Sequence, residues 1–252
     1  MAVTNWNSVW VTGASTGIGE ALVRRLDGTG PAVAASARSA DRLKSLAMQG
    51  ARIADYPIDV TDASAVEMCV KAIEAAQGPI DLAVLNAGAW TLMDTDEIDL
   101  QGIRLGVEVN YMGVIHSLMA VLPGMLARGG GHIAITASVS GYRGLPKAVA
   151  YGPMKSALIN LAETLKCELA PRGITVSLIN PGFVDTPMTQ RNPFPMPELI
   201  SADEAAVQIL AGLEKRKFEI AFPSRFAAAM KLLRILPDRL YFWIVRRFIL
   251  KN

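Results

Sequence analysis

Tyr151 and Lys155 stand four apart in the stretch "YGPMK". On a helix, that spacing stacks two side chains on one face, one turn apart. A phenol with an ordinary pKa of ~10 is a poor acid or base near neutrality. A neighbouring ammonium favours the phenolate and brings the group toward the working range. Such a pair suits proton transfer to or from an oxygen, as interconversion of a carbonyl and an alcohol requires. By itself a Tyr-x3-Lys pair is common on helices and usually structural, so its company decides. Ser138 precedes Tyr151 by 13 residues, at the end of the apolar run "HIAITAS". If that run is a strand in an open α/β sheet, its carboxyl end is where ligands bind. The Ser138 hydroxyl could then hold a substrate oxygen beside Tyr151.

A second group of residues could hold a phosphate. "TGASTGIG", Thr12 to Gly19, follows a short apolar run and opens a helical pattern. Gly13, Gly17 and Gly19 let the backbone turn tightly and approach a ligand closely. The helix N-terminus beyond, with Ser15, Thr16 and Ile18 around it, offers unpaired N–H groups and a positive dipole end to a pyrophosphate. The spacing Gly-x3-Gly-x-Gly differs from the usual dinucleotide fingerprint Gly-x-Gly-x-x-Gly. A purely structural turn is the alternative.

The elements that must position these groups read as an alternation. Apolar runs at Ser8–Gly13, Ala32–Ser36, Ala51–Ile58, Asp81–Asn86, His132–Ser138 and Thr175–Asn180 predict strands, with a possible seventh at Phe218–Phe222. Between them, Ile18–Leu26, Asp41–Met48, Ala63–Gln77, Ile98–Ala127 (interrupted near Asn110), Ala150–Ala170 and Ala202–Glu214 carry helical patterns. Near-continuous apolar strands alternating with helices predict a parallel sheet covered on both faces. Right-handed crossovers make it doubly wound. The fold class is α/β: a Rossmann-type sheet of about seven strands in one domain spanning 1–252. Residues 223–252 form a helical extension of that domain. Pro153 disturbs this picture, since proline is tolerated mainly in a helix's first turn. Either the helix starts near Gly152 or it bends there.

With these residues in order, the chain resembles the short-chain dehydrogenase/reductase family, in its single-domain branch. The resemblance rests on "TGASTGIG", on "NAG" at Asn86 to Gly88, on Asn110, Ser138 and "YGPMK", and on "PGFVDT" at Pro181 to Thr186. It implies a catalytic set of Asn110, Ser138, Tyr151 and Lys155, with Lys155 also bonding the nicotinamide ribose and Asn110 positioning a water that relays protons to it. It also implies that Asp59 and Val60 meet the adenine and that Asn86, Ala87 and Gly88 flank the cofactor. Pro181 and Gly182 would end a strand beside the nicotinamide, with the Val184 backbone and the Thr186 hydroxyl holding its carboxamide. Homodimers or homotetramers, through the long helices bearing Asn110 and Lys155, are what the family leads one to expect.

The second strand ends "ASARS", with Ala37 where NAD-using relatives carry an acid and Arg38 next to it. An acid at this place bonds the ribose 2′-hydroxyl, whereas an arginine accommodates a 2′-phosphate. NADP is therefore preferred and NAD less expected, unless Arg38 merely solvates the following helix start at Ser39 or Asp41. The substrate is expected between three walls: Ala89 to Met93, Val139 to Leu145 and Met188 to Leu199. The last wall, rich in Pro and Met, points to an apolar carbonyl or alcohol. Tyr142 and Arg143 could meet a polar group, although Arg143 also reads as a surface residue.

Bulk composition narrows the rest. A net charge of +2 gives no reason to expect a nucleic-acid partner. Two cysteines about a hundred residues apart, Cys69 and Cys167, read as reduced core thiols, and the opening "MAVTNWNSVW" lacks a secretory pattern, so a cytoplasmic setting is expected. His116 and His132 lack metal-ligand company and read as structural, so no metal is implied. The reading that competes with an enzyme is a non-catalytic dinucleotide sensor or scaffold on this fold.

From Phe222 onward the chain carries seven Lys or Arg against one acid, Asp238. Its longest uncharged run, Leu240 to Val245, falls far short of the ~20 residues of a membrane span. Pro237 divides it into two basic amphipathic helices. Phe226, Ala229, Met230, Leu233 and Leu236 share a face of the first, and Leu240, Tyr241, Ile244, Val245 and Phe248 a face of the second. Those faces either pack on the protein or a second subunit, or lie on a membrane surface through Phe226–Leu250.

Overall fold

The computed structural model describes residues 6–90, 93–192 and 195–250. In chain order the elements are β1 (Ser8–Thr12), α1 (Gly17–Asp27), β2 (Ala32–Ser36), α2 (Ala40–Gln49), β3 (Ile53–Asp55), α3 (Ala63–Gln77) and β4 (Leu82–Leu85). Then come α4 (Leu100–Val107), α5 (Gly113–Arg128), β5 (Gly131–Thr136), α6 (Tyr151–Leu169), β6 (Ile174–Pro181), β7 (Val184–Asp185) and β8 (Ile200–Ser201). The chain closes with α7 (Ala202–Glu214), β9 (Glu219–Phe222), α8 (Ser224–Ile235) and α9 (Asp238–Ile244).

Seven strands form one sheet in the order β3-β2-β1-β4-β5-β6-β9. Every pairing in it is parallel. The chain leaves β1 toward β2 and β3 on one side and returns to β4 on the other, so the strand order reverses between β1 and β4. Ligands bind at such a reversal, outside the carboxyl ends of the strands. Alternation along each strand splits the core in two. Trp10 packs with α3, α5 and α6 residues such as Val70, Val121 and Leu158 on one face. Its neighbours Val9 and Val11 pack with Leu22, Leu43 and Ile209 of α1, α2 and α7 on the other. Strands buried on both faces must be apolar throughout, which is why "SVWVT" and "AVAAS" show no polar alternation. The Trp10 indole donates to the Ser36 hydroxyl at 2.9 Å, so the core's largest side chain leaves no buried donor unmet.

The long helix over 100–128 is interrupted as the sequence suggested. A π-helical turn, Glu108–Met112, joins α4 to α5 and contains Asn110. The Pro153 question is answered by a helix start. Tyr151 is the first residue of α6 and Pro153 the third, where no i→i−4 donor is required of it.

The tail folds as two helices broken at Pro237, but its packed faces differ from the expected ones. In α8, Ala227 and Met230 are buried while Ala229 is exposed. Beyond Pro237, Tyr241 and Val245 are buried, whereas Leu240 and Phe248 face outward. Arg143 explains the seating, and it is neither a free surface residue nor a substrate contact. Its guanidinium donates to the carbonyl oxygens of Leu233 (3.0 Å) and Leu236 (2.6 Å), pairs with Asp238 and lies 3.9 Å from the centre of the Tyr241 ring. The Tyr241 hydroxyl in turn donates to the Gly144 carbonyl. Arg143→Ala should therefore cost about 2 kcal/mol, read as a lower Tm, and should expose α9 to limited proteolysis before the sheet is cut. The two thiols also separate: Cys69 is buried, but Cys167 is exposed rather than part of the core.

Candidate active site

A cleft of about 420 Å³ opens at the strand-order reversal. Of the residues singled out from the sequence, it is lined on the turn side by Gly13, Ser15, Thr16, Gly17 and Ile18, and beside them by Arg38, Asp59 and Val60. Asn86, Ala87, Gly88 and Asn110 also line it, as do Ser138, Tyr151, Lys155, Pro181, Gly182, Val184 and Thr186. Gly19 is not among the lining residues; it packs beneath the turn. A Cβ on it would sit 2.2 Å from the Gly13 carbonyl oxygen, an impossible contact. Gly13 itself has φ +69 and would drive a Cβ to 2.8 Å from the Ala87 Cα.

The ends of β1 and β4 are locked together across the reversal. The Thr12 hydroxyl accepts the N–H groups of Asn86 (2.9 Å) and Ala87 (3.1 Å), and the Asn86 amide donates back to the Thr12 carbonyl at 3.3 Å. Thr12 is a site residue missed at the sequence level, although it heads the glycine motif. Above this lock, α1 begins with no side chain capping its N-terminus, so its first N–H groups and dipole face the cleft. The narrow glycine cradle and this uncapped helix end fit a dinucleotide pyrophosphate. At the β2 end, Arg38 is joined in the cleft wall by Ser39 and Arg42. Arg42 also went unread, though its signal was a second arginine four residues on, in the first turn of α2.

In the same cleft, the candidate reacting groups converge. Ser138 follows β5, and its hydroxyl donates to the Pro181 carbonyl at 3.3 Å while accepting from the Ser140 N–H (3.2 Å) and hydroxyl (3.0 Å). Ser140, another residue missed from sequence, fixes the rotamer of Ser138 through this short-range turn. Lys155 is buried, donates from Nζ to the Thr136 carbonyl at 2.9 Å, and lies 5.5 Å from the centre of the Tyr151 ring. Burial pushes Tyr151 up to about 12, against the lowering effect of the Ser138 hydroxyl. Burial also pulls Lys155 down to about 8. The sequence pointed to a Tyr151 lowered by its lysine. In the structure burial of the ring works against that attraction, and a further positive charge in the cleft would bring the phenol down.

Asn110 sits between the two groups of residues. Its amide donates to the carbonyls of Ala89 (2.8 Å) and Gly106 (3.0 Å) and accepts from the Ala89 N–H at 3.2 Å. It thus pins the segment after β4 to the π-helical turn. A Cβ at Gly88 would lie 3.0 Å from Asn110 Oδ1 and 3.8 Å from Lys155 Nζ, which places the two side chains on one short path.

Of the expected substrate walls, residues 91–92 and 193–194 lie outside the described residues. Met188 and Thr189 do line the cleft, together with Pro187 just before that wall. Tyr142 does not face it. It is buried, and its hydroxyl joins Asn180 and Lys231 on the Glu219 carboxylate, tying the Ser138 loop to β6, β9 and α8. Burial and this carboxylate drive the Tyr142 phenol far above its ordinary value, so it stays protonated as a structural donor. His132 bonds Ser177 at 2.9 Å, with burial holding it down to about 4, and His116 meets the Val60 carbonyl at 2.9 Å.

A family model described as short chain dehydrogenase matches residues 7–194. An uncharacterized oxidoreductase of Myxococcus xanthus is 32% identical over 251 residues, covering 98% of this chain and 99% of that protein. An alcohol dehydrogenase from the archaeon Thermococcus sibiricus, solved in complex with 5-hydroxy-NADP, has a TM-score of 0.78 at 31% identity, covering 86% of this chain and 95% of that one. A short chain dehydrogenase/reductase from Burkholderia phymatum, solved in complex with NAD, has a TM-score of 0.83 and covers 92% of this chain and 94% of that one, but at 24% identity it speaks for the fold alone. Sequence match, parallel-sheet topology and cleft together make this chain an oxidoreductase that belongs to the short-chain dehydrogenase family.

Proposed function

We propose that the protein is an NADP(H)-dependent reductase that interconverts a carbonyl and an alcohol, with Tyr151 as general acid and base. The observation that carries this reading is that Ser138, Tyr151 and Lys155 line one cleft together with the glycine turn, with Lys155 Nζ 5.5 Å from the centre of the Tyr151 ring. When bound, the dinucleotide supplies or accepts a hydride. The chain's own residues do the rest. The Ser138 hydroxyl hydrogen-bonds the substrate oxygen and holds it beside Tyr151. The Tyr151 hydroxyl gives that oxygen its proton in reduction and removes it in oxidation. The Lys155 charge over the ring strengthens the phenol as an acid, and Asn110 holds the turn through which the lysine is resupplied with protons. Arg38 and Arg42 favour NADP over NAD, because a 2′-phosphate would find two cations at the β2 end.

The lining by Pro187, Met188 and Val184 supports an apolar substrate. Leu105, Val107 and Met119, exposed along α4 and α5, support a homodimer or homotetramer through those helices. The free thiols of Cys69 and Cys167 support a reducing, cytoplasmic setting.

The pH profile tests the assignment. With ketones, aldehydes and quinones as the substrate panel, kcat/KM for NADPH-dependent reduction should stay level below pH 8. It should fall as pH rises through about 8, where Lys155 loses the charge that assists proton donation. A reduction rate that continues to rise above that pH contradicts the role given to Lys155.

A further inference from the structure

Two sets of apolar side chains come from α9 and the π-helical turn that follows it, Val245–Ile249. One set is used by the fold: Tyr241 and Val245 are buried against the loop that Arg143 anchors. The other faces outward, with Phe242 53%, Trp243 55%, Phe248 58% and Leu250 57% exposed. Trp243 and Phe248 touch edge to face, 5.9 Å between ring centres, so the exposed rings form a patch rather than scattered singles. Single exposed apolar residues are ordinary, but an aromatic patch marks a surface that meets something else.

Charge says what it meets. Arg239, Arg246 and Arg247 rim the patch, and among the described residues none of the three forms an ion pair. The tail's acid, Asp238, is already committed to Arg143. A second copy docking here by two-fold symmetry would press this patch against itself and set arginines against arginines. An anionic lipid surface supplies the complement on both counts: phosphate for the arginines, and a boundary layer where aromatic rings are at home. α9 and its turn are themselves shorter than the ~20 apolar residues of a membrane span, and Arg246 and Arg247 interrupt their apolar run. The helix over Leu100–Arg128 is long and apolar enough to cross a membrane, but it packs on the sheet through Val114, Leu118, Val121 and Met125.

We propose that the outward face of α9 and its following turn docks the protein on an anionic membrane surface. Trp243 and Phe248 enter the headgroup–acyl boundary, and Arg239, Arg246 and Arg247 pair with lipid phosphates. The Arg143 anchor keeps this face turned outward. The inference stands apart from the catalytic reading and is tested without turnover.

The experiment is co-sedimentation of the full chain with vesicles of phosphatidylglycerol and, separately, of phosphatidylcholine at low ionic strength. The protein should pellet with the first and remain in solution with the second, and added salt should release it. Arg246→Glu with Arg247→Glu, and separately Trp243→Ser with Phe248→Ser, should each reduce the bound fraction about ten-fold or more, with circular dichroism unchanged. These side chains are exposed and outside the cleft, so folding should survive. Failure of the unmodified protein to pellet with phosphatidylglycerol, or variants that pellet equally well, would overturn the proposal. So would a Trp243→Ser, Phe248→Ser variant that elutes as a smaller oligomer than the unmodified protein, because the face would then belong to a second copy.

Discussion

Tyr151→Phe should lower kcat/KM for NADPH-dependent carbonyl reduction by about a thousandfold, within the range that a positioned general acid contributes. The same variant should bind NADPH within about two-fold of the unmodified protein. The split follows from position. Tyr151 is the first residue of α6, and the ring lies in the cleft with the Lys155 ammonium 5.5 Å from its centre. Losing one oxygen removes the proton donor but leaves the glycine turn, the uncapped α1 N-terminus and the arginines at the β2 end untouched. Phe fills the same volume, so the change should cost little stability. A loss of cofactor affinity as large as the loss of rate would mean that the hydroxyl serves binding instead.

Arg38→Ala combined with Arg42→Ala should weaken NADPH binding about 30-fold and leave NADH binding within about two-fold. Each arginine offers charge-assisted bonds to a 2′-phosphate, worth ~1.5–3 kcal/mol where well ordered and nearer ~1 kcal/mol at an exposed site. Tenfold in affinity corresponds to ~1.4 kcal/mol. Both side chains are exposed on the cleft rim, so the lower figure applies, and the pair together is worth ~2 kcal/mol, or about 30-fold. Isothermal titration of both dinucleotides against both proteins separates the outcomes. An equal loss for NADH and NADPH would show that the arginines hold the shared part of the cofactor, and unchanged NADPH affinity would remove the basis of the preference.

How far the sequence could be read depended on how local the determining physics was. The strands were legible because a doubly covered parallel sheet forces unbroken apolar runs, and "SVWVT" or "TVSLIN" has no other economical fate. The glycine turn and the Tyr-x3-Lys pair were legible for the same reason, since their geometry is set within eight and five residues. Pro153 left two readings open, because the position of the helix start depends on the loop from Ser140 to Ala150. The structure begins the helical bonding with the Gly152 N–H on the Ala148 carbonyl at 2.9 Å. Arg143 and Tyr142 were misjudged because their partners lie far along the chain: Asp238 for one, Glu219 for the other. Nothing near residue 143 announces that a guanidinium will collect the carbonyls ending α8. The tail's periodicity gave two amphipathic helices, but periodicity is indifferent to which side the body of the protein lies on. The seating by Arg143 turned Ala227 inward in place of Ala229 and left Phe248 outside. The upward push on Tyr151 was equally beyond sequence, since it depends on how the folded chain packs around the ring.

The most direct test of the central claim follows the hydride and the proton together. NADPH carrying deuterium at the transferable C4 position is incubated with the unmodified protein and with Tyr151→Phe across ketones and aldehydes. Products are then analysed by mass spectrometry. The predicted result is an alcohol bearing one deuterium on the former carbonyl carbon, formed in step with NADPH consumption by the unmodified protein and nearly absent with the variant. Equal consumption by the two proteins on every active substrate, or product formed without deuterium, would contradict the assignment of hydride transfer with Tyr151 as proton donor.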